Sequence, residues 1–181
     1  ALAGHGPLLL LPGRGTRLKG HADALQLLAA LRAGAFPAAR LWLPGAREPG
    51  REAYIDELQA QAARLGVAEA ALFTAPTSRI AEAYAACDLV LQLSRKPEAF
   101  GRTVVEALSV GRPVLGWAHG GVGELLAQLP PRGAVAPFDA AALATTAATL
   151  LRAPPRPADA IPYTLQAMQQ ATLELYAELA G

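Results

Sequence analysis

The sequence predicts an α/β fold in which a doubly wound parallel sheet of about six strands carries helices on both faces. Short apolar runs alternate with helical patterns of roughly 10 to 15 residues, as they do in βαβ units. The runs are almost continuously apolar, which is typical of strands whose two faces are both covered. Hydrophobic residues make up 52% of the 181 residues, so the chain can build the core of one domain.

The N-terminal half is predicted to contain three strand–helix units. Gly34 ends the first helix, and Gly66 supplies the left-handed residue that follows the second. Ser78 is predicted to cap the third helix, because its hydroxyl can accept a hydrogen bond from a free backbone amide. The strands are predicted at residues 8–11, 40–43 and 71–74, and the helices at 21–33, 51–65 and 79–86.

The C-terminal half repeats the alternation. Gly111 follows its first helix, and Pro130 with Pro131 ends its second. Asp139 is predicted to cap the third, since aspartate is a preferred residue at helix starts. The strands are predicted at residues 88–93, 113–117 and 134–135, and the helices at 102–110, 122–128 and 139–152.

Two units follow from this order. Residues 1–152 are predicted to form the sheet domain, and residues 153–181 a proline-rich linker at 154–157 and a last helix at 163–180. Leu165, Met168, Leu175 and Leu179 fall on one face of that helix. This apolar face predicts that the helix packs on the same domain. The alternative is that the helix docks on a partner that is missing.

The composition bears on the binding partners and the cellular location to be expected of this chain. The net charge of +1 gives no electrostatic reason to expect nucleic acid. The single cysteine, Cys87, rules out an internal disulfide and indicates a reducing, cytoplasmic location. The apolar runs are shorter than the roughly 20 residues that cross a bilayer, and no signal-peptide pattern is present at the start.

A glycine-bearing loop after the first strand carries two cations. Gly13 and Arg14 are followed by Lys19 and Gly20, and a helix begins immediately afterwards. Loop amides, a helix start and two cations together suit a phosphate group. The spacing is not that of a Walker loop, which needs Gly-Lys-Ser/Thr, and it is not Gly-x-Gly-x-x-Gly, because position 18 is leucine.

Two glutamates lie eight residues apart after the fourth strand. Glu98 is on a loop and Glu106 one turn inside the next helix, with Phe100 and Gly101 between them. An ionised carboxylate can accept two hydrogen bonds side by side, which suits the vicinal diol of a ribose or a hexose. The alternative for Glu106 is a structural hydrogen bond from its carboxylate to the backbone.

A third candidate loop follows the fifth strand. It contains His119, Gly120 and Gly121, and the two glycines permit a tight turn.

Together these stretches resemble the C-terminal domain of the group 1 family of retaining GT-B glycosyltransferases, over about residues 7–152. This part of such enzymes is Rossmann-like and binds the nucleotide-sugar donor. The motifs are Gly-Arg-x4-Lys-Gly at 13–20, Glu-x7-Glu with its internal Phe-Gly at 98–106, Glu-Ala-Leu-Ser-Val-Gly-Arg-Pro-Val at 106–114 and Gly-Gly-x-x-Glu at 120–124.

The resemblance implies a role for each of these residues. Arg14 and Lys19, on the loop that starts at Gly13, would bind the donor diphosphate and offset the charge of the leaving group, without a metal or cofactor. Glu98 would hold hydroxyls of the transferred sugar, helped by the backbone of Phe100 and Gly101. Glu106 would hold the ribose. The amides of Thr103 and Val104 would lie near the phosphates, and residues 74–80 would border the base. Arg14, Lys19 and Glu98 are the expected catalytic residues.

The resemblance also implies that the chain is one half of a two-domain enzyme. A missing N-terminal domain would bind the acceptor, a glycan or a lipid-linked sugar, so the chain alone would bind donor without efficient transfer. The expected donor is a UDP-sugar rather than a GDP-sugar. The expected setting is bacterial surface glycan synthesis, with the whole protein at the inner face of the cell membrane.

Two other functions remain open from the sequence. One is a non-catalytic nucleotide-sugar-binding or regulatory module of the same fold, although such a module need not keep Arg14, Lys19, Glu98 and Glu106 together. The other is a nucleotide-sugar epimerase. That enzyme would need a histidine with an acidic partner, and His5, His21 and His119 have no evident one in the sequence.

Overall fold

A computed structural model describes residues 4–129, 133–156 and 160–180. In it six parallel strands form one sheet in the order 3-2-1-4-5-6. The predicted α/β class and the parallel six-stranded sheet are therefore confirmed. The strands are β1 (Leu8–Leu10), β2 (Arg40–Pro44), β3 (Ala71–Thr74), β4 (Leu89–Gln92), β5 (Val114–Trp117) and β6 (Ala134–Val135).

Seven α-helices and two short 3-10 turns connect and follow these strands within the described residues. The 3-10 turns are Arg17–Lys19 and Ala68–Ala70. The helices are α1 (His21–Ala33), α2 (Glu52–Arg64), α3 (Ile80–Ala86), α4 (Arg102–Ser109), α5 (Gly120–Gln128), α6 (Ala140–Arg152) and α7 (Leu165–Ala180). None of these helices has the length and apolar character needed to cross a bilayer.

The core has two parts, one on each face of the sheet. Leu9 belongs to the part covered by α1, α2 and α6, whereas its neighbour Leu10 belongs to the part covered by α3, α4 and α5. Successive side chains of a strand point to opposite faces, so every buried strand must be apolar throughout. This explains why the strands could be recognised as continuous apolar runs.

Helices α1 and α4 start at the predicted residues, His21 and Arg102. The Asp139 carboxylate accepts the amide of Ala142 at 2.9 Å, which confirms its cap. The Ser78 cap is wrong, because α3 begins at Ile80 without a side-chain cap. Helix α5 begins at Gly120, two residues earlier than predicted, because the glycines allow it to approach the neighbouring loop. Pro130 and Pro131 lie outside the described residues.

The predicted packing of the last helix on the sheet is wrong. All described side chains of α7 are exposed, from Leu165 to Leu179. The physical reason is that six other helices already cover both faces of the sheet. The segment before α7 does contact the domain, since the hydroxyl of Tyr163 donates to Gln128 at 3.0 Å and its ring meets the edge of Phe100. Pro157 of the predicted linker lies outside the described residues.

Candidate functional site

The candidate site lies at the carboxyl edge of the sheet, where β1 and β4 are neighbours and the strand order reverses. Loops that follow β1 and β4 leave in opposite directions at this point, and the crevice between them is where open α/β sheets bind ligands. Arg14 and Lys19 follow β1, and Glu98 and Glu106 follow β4. The sheet topology therefore brings together two motifs that are about 80 residues apart in sequence.

The loop after β1 is a compact series of turns. The Gly13 amide donates to the carbonyl of Pro44 at 3.0 Å, and the Lys19 amide donates to that of Thr16 at 3.1 Å. Gly20 ends the loop with φ +76°, and a Cβ there would lie 2.1 Å from the carbonyl oxygen of Leu93. A side chain does not fit at position 20, so the loop is held against the end of β4.

Lys19 reaches across the crevice to Glu98. Its Nζ lies 2.6 Å from Oε1 of Glu98, and both side chains are only partly exposed, at 34% and 25%. The pair thus joins the cation predicted for phosphate to the carboxylate predicted for the sugar. An ammonium group has three donors, so Lys19 can contact an anion in the crevice and keep Glu98 as a partner.

Two buried polar side chains fix the orientation of the Glu98 carboxylate by hydrogen bonds. Ser94 donates to Oε1 of Glu98, and the amide of Gln92 donates to Oε2 at 3.1 Å. His119 contacts the carbonyl of Ser94 at 2.8 Å through Nε2. Partial burial raises the pKa of Glu98, but the hydrogen bonds from Lys19, Ser94 and Gln92 outweigh it, so the pKa is lowered. Glu98 is therefore held as an ionised carboxylate in a defined orientation.

Replacing Lys19 by methionine is expected to raise the pKa of Glu98, because it removes the largest of the interactions that lower it. A carboxyl-carbon NMR titration of Glu98 measures the change. Arg17→Met is the matched control, since Arg17 lies in the same 3-10 turn but pairs with Glu57. A Glu98 pKa that is the same in Lys19→Met and in the wild type would contradict the assignment.

The sign of the accompanying stability change follows from the lowered pKa. The Lys19–Glu98 pair contributes stability above the ordinary glutamate pKa of about 4.3. That contribution is lost as the pH falls through the lower pKa of the folded state. The difference in unfolding free energy between the wild type and Lys19→Met should therefore shrink in acid.

Glu106 is half-buried and has partners on both oxygens. The hydroxyl of Tyr84, on α3, donates to Oε2 at 3.0 Å, and Nε of Arg102 lies 3.5 Å from Oε1. An open groove of about 370 Å³ runs between the two glutamates. Its lining residues are Lys19, Glu98, Ala99, Phe100, Gly101, Arg102, Thr103 and Glu106.

Arg14 and Val104 lie outside this groove. Val104 is fully buried, and its amide donates to the carbonyl of Gly101 at 2.9 Å. Arg14 is exposed and lines a second groove of about 250 Å³. No other residue of the described chain pairs with its guanidinium. The second groove is lined by Pro12, Gly13, Arg14, Pro44, Gly45, Glu48, Pro76, Thr77 and Ile80, so it includes the segment predicted to border a base.

The two glycines after β5 support the glutamate loop from behind. The Gly121 amide donates to the carbonyl of Glu98 at 2.9 Å. A Cβ at Gly121 would lie 2.5 Å from the carbonyl oxygen of Ala99, and one at Gly120 would lie 2.7 Å from that of Glu98. Here the glycine pair allows helix α5 to approach the backbone that carries Glu98.

Sequence reasoning missed four supporting residues: Gln92, Ser94, Tyr84 and Arg95. Polar Gln92 and Ser94 interrupt an apolar run and could have been noticed. The Arg95 side chain donates to both carboxylate oxygens of Asp23, at 2.8 and 2.7 Å, and lies 4.7 Å from the ring centre of Phe138. Its amide donates to the carbonyl of Leu18 at 2.7 Å, which ties the two loops together.

Within the residues that the structure describes, the histidines offer no acid–base pair of the kind an epimerase needs. His21 is fully buried, and burial lowers its pKa to about 4. Among the described residues, no histidine forms an ion pair with a carboxylate. In the same ranges no group of three or more His, Cys, Asp and Glu side chains is placed to hold a metal ion.

The strand order 3-2-1-4-5-6 is that of the doubly wound Rossmann-like class of fold, which binds its ligands in the crevice at the switch point. The sequence model of the glycosyl transferases group 1 family matches residues 2–167. The chain therefore belongs to the glycosyl transferases group 1 family. No curated protein matches the sequence significantly.

Solved structures agree with this assignment. HepE from Anabaena, in complex with UDP and glucose, is 30% identical over 82% of this chain and 39% of its own length, with a TM-score of 0.73. WaaG, a glycosyltransferase involved in lipopolysaccharide biosynthesis, is 27% identical over 83% of this chain and 39% of its own, with a TM-score of 0.71.

A glycosyltransferase from Rickettsia africae matches 98% of this chain and 49% of its own, with a TM-score of 0.85 at 24% identity, which shows the fold. The chain thus spans about two-fifths to one-half of the length of these proteins. The fold is that of one domain of a GT-B glycosyltransferase.

Proposed function

We propose that this chain is the donor-binding part of a retaining, metal-independent glycosyltransferase that uses a nucleotide diphosphate sugar. The observation that carries the proposal is the contact of Lys19 with Glu98 in the groove that also contains Glu106. A cation for phosphate and two carboxylates for hydroxyl groups are the recognition elements that such a donor requires. That the chain belongs to the group 1 family supports the same conclusion.

Each group has a chemical task in this proposal. Lys19 and Arg14 bind the diphosphate and offset the negative charge that the leaving group gains in the transition state. Glu98 accepts hydrogen bonds from the transferred sugar, and Glu106 accepts them from the ribose. The backbone of Phe100 and Gly101 completes the sugar site, and the Thr103 amide faces the phosphates. The guanidinium of Arg14, with which no other described residue pairs, borders the groove that would take the base and its phosphates.

The complete enzyme would transfer the sugar in bacterial surface glycan synthesis. A second domain would hold the acceptor, a glycan or a lipid-linked sugar, at the inner face of the cell membrane. HepE is bound to UDP-glucose in one structure and to UDP in another, and WaaG belongs to lipopolysaccharide biosynthesis. These relatives support a UDP-sugar donor and a surface-glycan product. Alone, this chain would bind donor without efficient transfer.

Isothermal titration calorimetry with UDP and UDP-glucose tests the proposal. Both ligands are expected to bind, and the affinity should be the same in EDTA as in magnesium, because Arg14 and Lys19 supply the positive charge. Loss of binding in EDTA would overturn the role given to these cations. Failure to bind any nucleoside diphosphate in either buffer would overturn the proposed function.

Arginine variants sharpen this test. Arg14→Met should weaken UDP binding, whereas Arg17→Met should not. Both arginines are exposed and lie on the same loop, but Arg17 already pairs with Glu57 at 2.6 Å. Equal losses in the two variants would indicate a general effect of charge rather than a contact made by Arg14.

A further inference from the structure

We propose that Tyr84 is a positioning residue for donor binding, because its buried hydroxyl holds the Glu106 carboxylate in the orientation that accepts the ribose diol. The inference rests on the proposed function, which assigns Glu106 to the ribose. It adds a residue outside the groove and outside the motifs that identify the family. Tyr84 acts through Glu106 and makes no contact with the ligand itself.

The environment of Tyr84 is a hydrophobic core. Tyr84 is 2% exposed and belongs to the core part formed by α3, α4 and α5, whose other buried members are aliphatic side chains and Cys87. A phenylalanine would fill the same volume. The hydroxyl is thus the feature that needs an explanation, since a buried polar group is costly unless it is hydrogen-bonded.

The hydroxyl has a partner at the surface of the groove. It donates to Oε2 of Glu106 at 3.0 Å, across the contact between α3 and α4. Burial raises the pKa of Tyr84, and the negative charge of Glu106 raises it further. The phenol therefore stays protonated and acts as the donor at neutral pH.

This contact restricts a carboxylate that would otherwise be mobile. A half-exposed glutamate side chain samples several rotamers, and ordering it on binding costs free energy. With Oε2 held by Tyr84, the second lone pair of Oε2 and a lone pair of Oε1 can still accept hydrogen bonds from a ligand. Arg102 lies 3.5 Å from Oε1, on the exposed side of the helix, and is 84% exposed. A vicinal diol can approach the remaining acceptor sites side by side.

The test compares Tyr84→Phe with the wild type in the 181-residue chain. The ligands are UDP and 2′,3′-dideoxy-UDP, which lacks both ribose hydroxyls. Tyr84→Phe is expected to weaken UDP roughly three- to ten-fold, the usual scale of one hydrogen bond. It should change the affinity for the dideoxy ligand less than about two-fold, and its thermal midpoint should stay close to that of the wild type.

A double-mutant cycle provides the second readout. In a Glu106→Ala background, Tyr84→Phe should have no further effect on UDP binding, because the group that Tyr84 positions is gone. Tyr54→Phe is the matched control. Tyr54 is a half-buried tyrosine on α2 whose ring meets the edge of His21, on the opposite face of the sheet.

Each outcome decides between the possibilities. Equal losses for UDP and the dideoxy ligand, or an undiminished effect in the Glu106→Ala background, would show a purely structural role and overturn the inference. Wild-type protein that binds both ligands equally would overturn the assignment of Glu106 to ribose. Wild-type protein that binds neither ligand would overturn the proposed function, and the inference with it.

Discussion

Glu106→Ala is expected to weaken the binding of UDP and UDP-glucose alike, by about 1 to 3 kcal/mol, the usual scale of hydrogen bonds to a charged group. Both ligands contain the ribose that Glu106 is proposed to hold. Glu98→Ala is expected to behave differently. It should spare UDP and weaken only the sugar-bearing donor, because Glu98 is proposed to hold the transferred sugar.

The site gives a physical reason for the difference. Glu98 lies 2.6 Å from Lys19, and the ammonium group has further donors for the diphosphate whether or not Glu98 is present. Glu98→Ala therefore leaves the diphosphate contact of Lys19 in place and removes only the contact with the transferred sugar, which UDP lacks. Glu106 contacts Tyr84 and Arg102 instead, and no lysine pairs with it among the described residues.

Calorimetry of Glu98→Ala and Glu106→Ala with UDP and with UDP-glucose measures these different losses of affinity. Glu69→Ala is a suitable control, since Glu69 is exposed in the turn that leads into β3, at the opposite edge of the sheet. In a full-length enzyme, Glu98→Ala should also lower turnover more than donor affinity if its contact tightens as the sugar gains positive charge. Equal losses for both ligands in both variants would show that the glutamates act through folding.

Gly20→Ala is expected to destabilise the domain by more than about 3 kcal/mol, the range of severe single substitutions. Two effects add at this position. The left-handed backbone, with φ +76°, costs a residue other than glycine about 1–2 kcal/mol. The new Cβ would also lie 2.1 Å from the carbonyl oxygen of Leu93, which is backbone at the end of β4 and cannot rotate away.

Gly50→Ala separates the two effects. Gly50 has nearly the same φ, +79°, but no atom lies within 4 Å of the position of its Cβ. Gly50→Ala should therefore lower the free energy of unfolding only by the cost of the left-handed backbone, about 1–2 kcal/mol. Urea unfolding of both variants measures the difference. If the two costs are equal, the loop is not held against β4 as described.

The consequence of Gly20→Ala extends to the candidate site. Gly20 joins Lys19 to the start of α1, and Leu93 precedes the loop that carries Ser94 and Glu98. Separating these backbones would lengthen the contact between Lys19 and Glu98. The folded fraction of Gly20→Ala should consequently bind UDP more weakly than the wild type.

The sequence by itself determined the local structure and the edge of the sheet at which the site lies. Continuous apolar runs located β1 to β6, because both faces of each strand are covered, and Asp139 was recognised as a cap from its own chemistry. Arg14, Lys19, Glu98 and Glu106 follow β1 and β4. The carboxyl ends of parallel strands share one edge of the sheet, so all four residues had to lie at that edge.

Only the tertiary structure decided which of these side chains meet. The order of the strands places β1 beside β4, and this allows Lys19 to contact Glu98 across 79 positions of sequence. The same packing places Tyr84 under Glu106, puts Arg14 in a separate groove and leaves α7 exposed. Periodicity and spacing describe neighbours along the chain, whereas these contacts depend on how loops and helices from distant segments pack against one another.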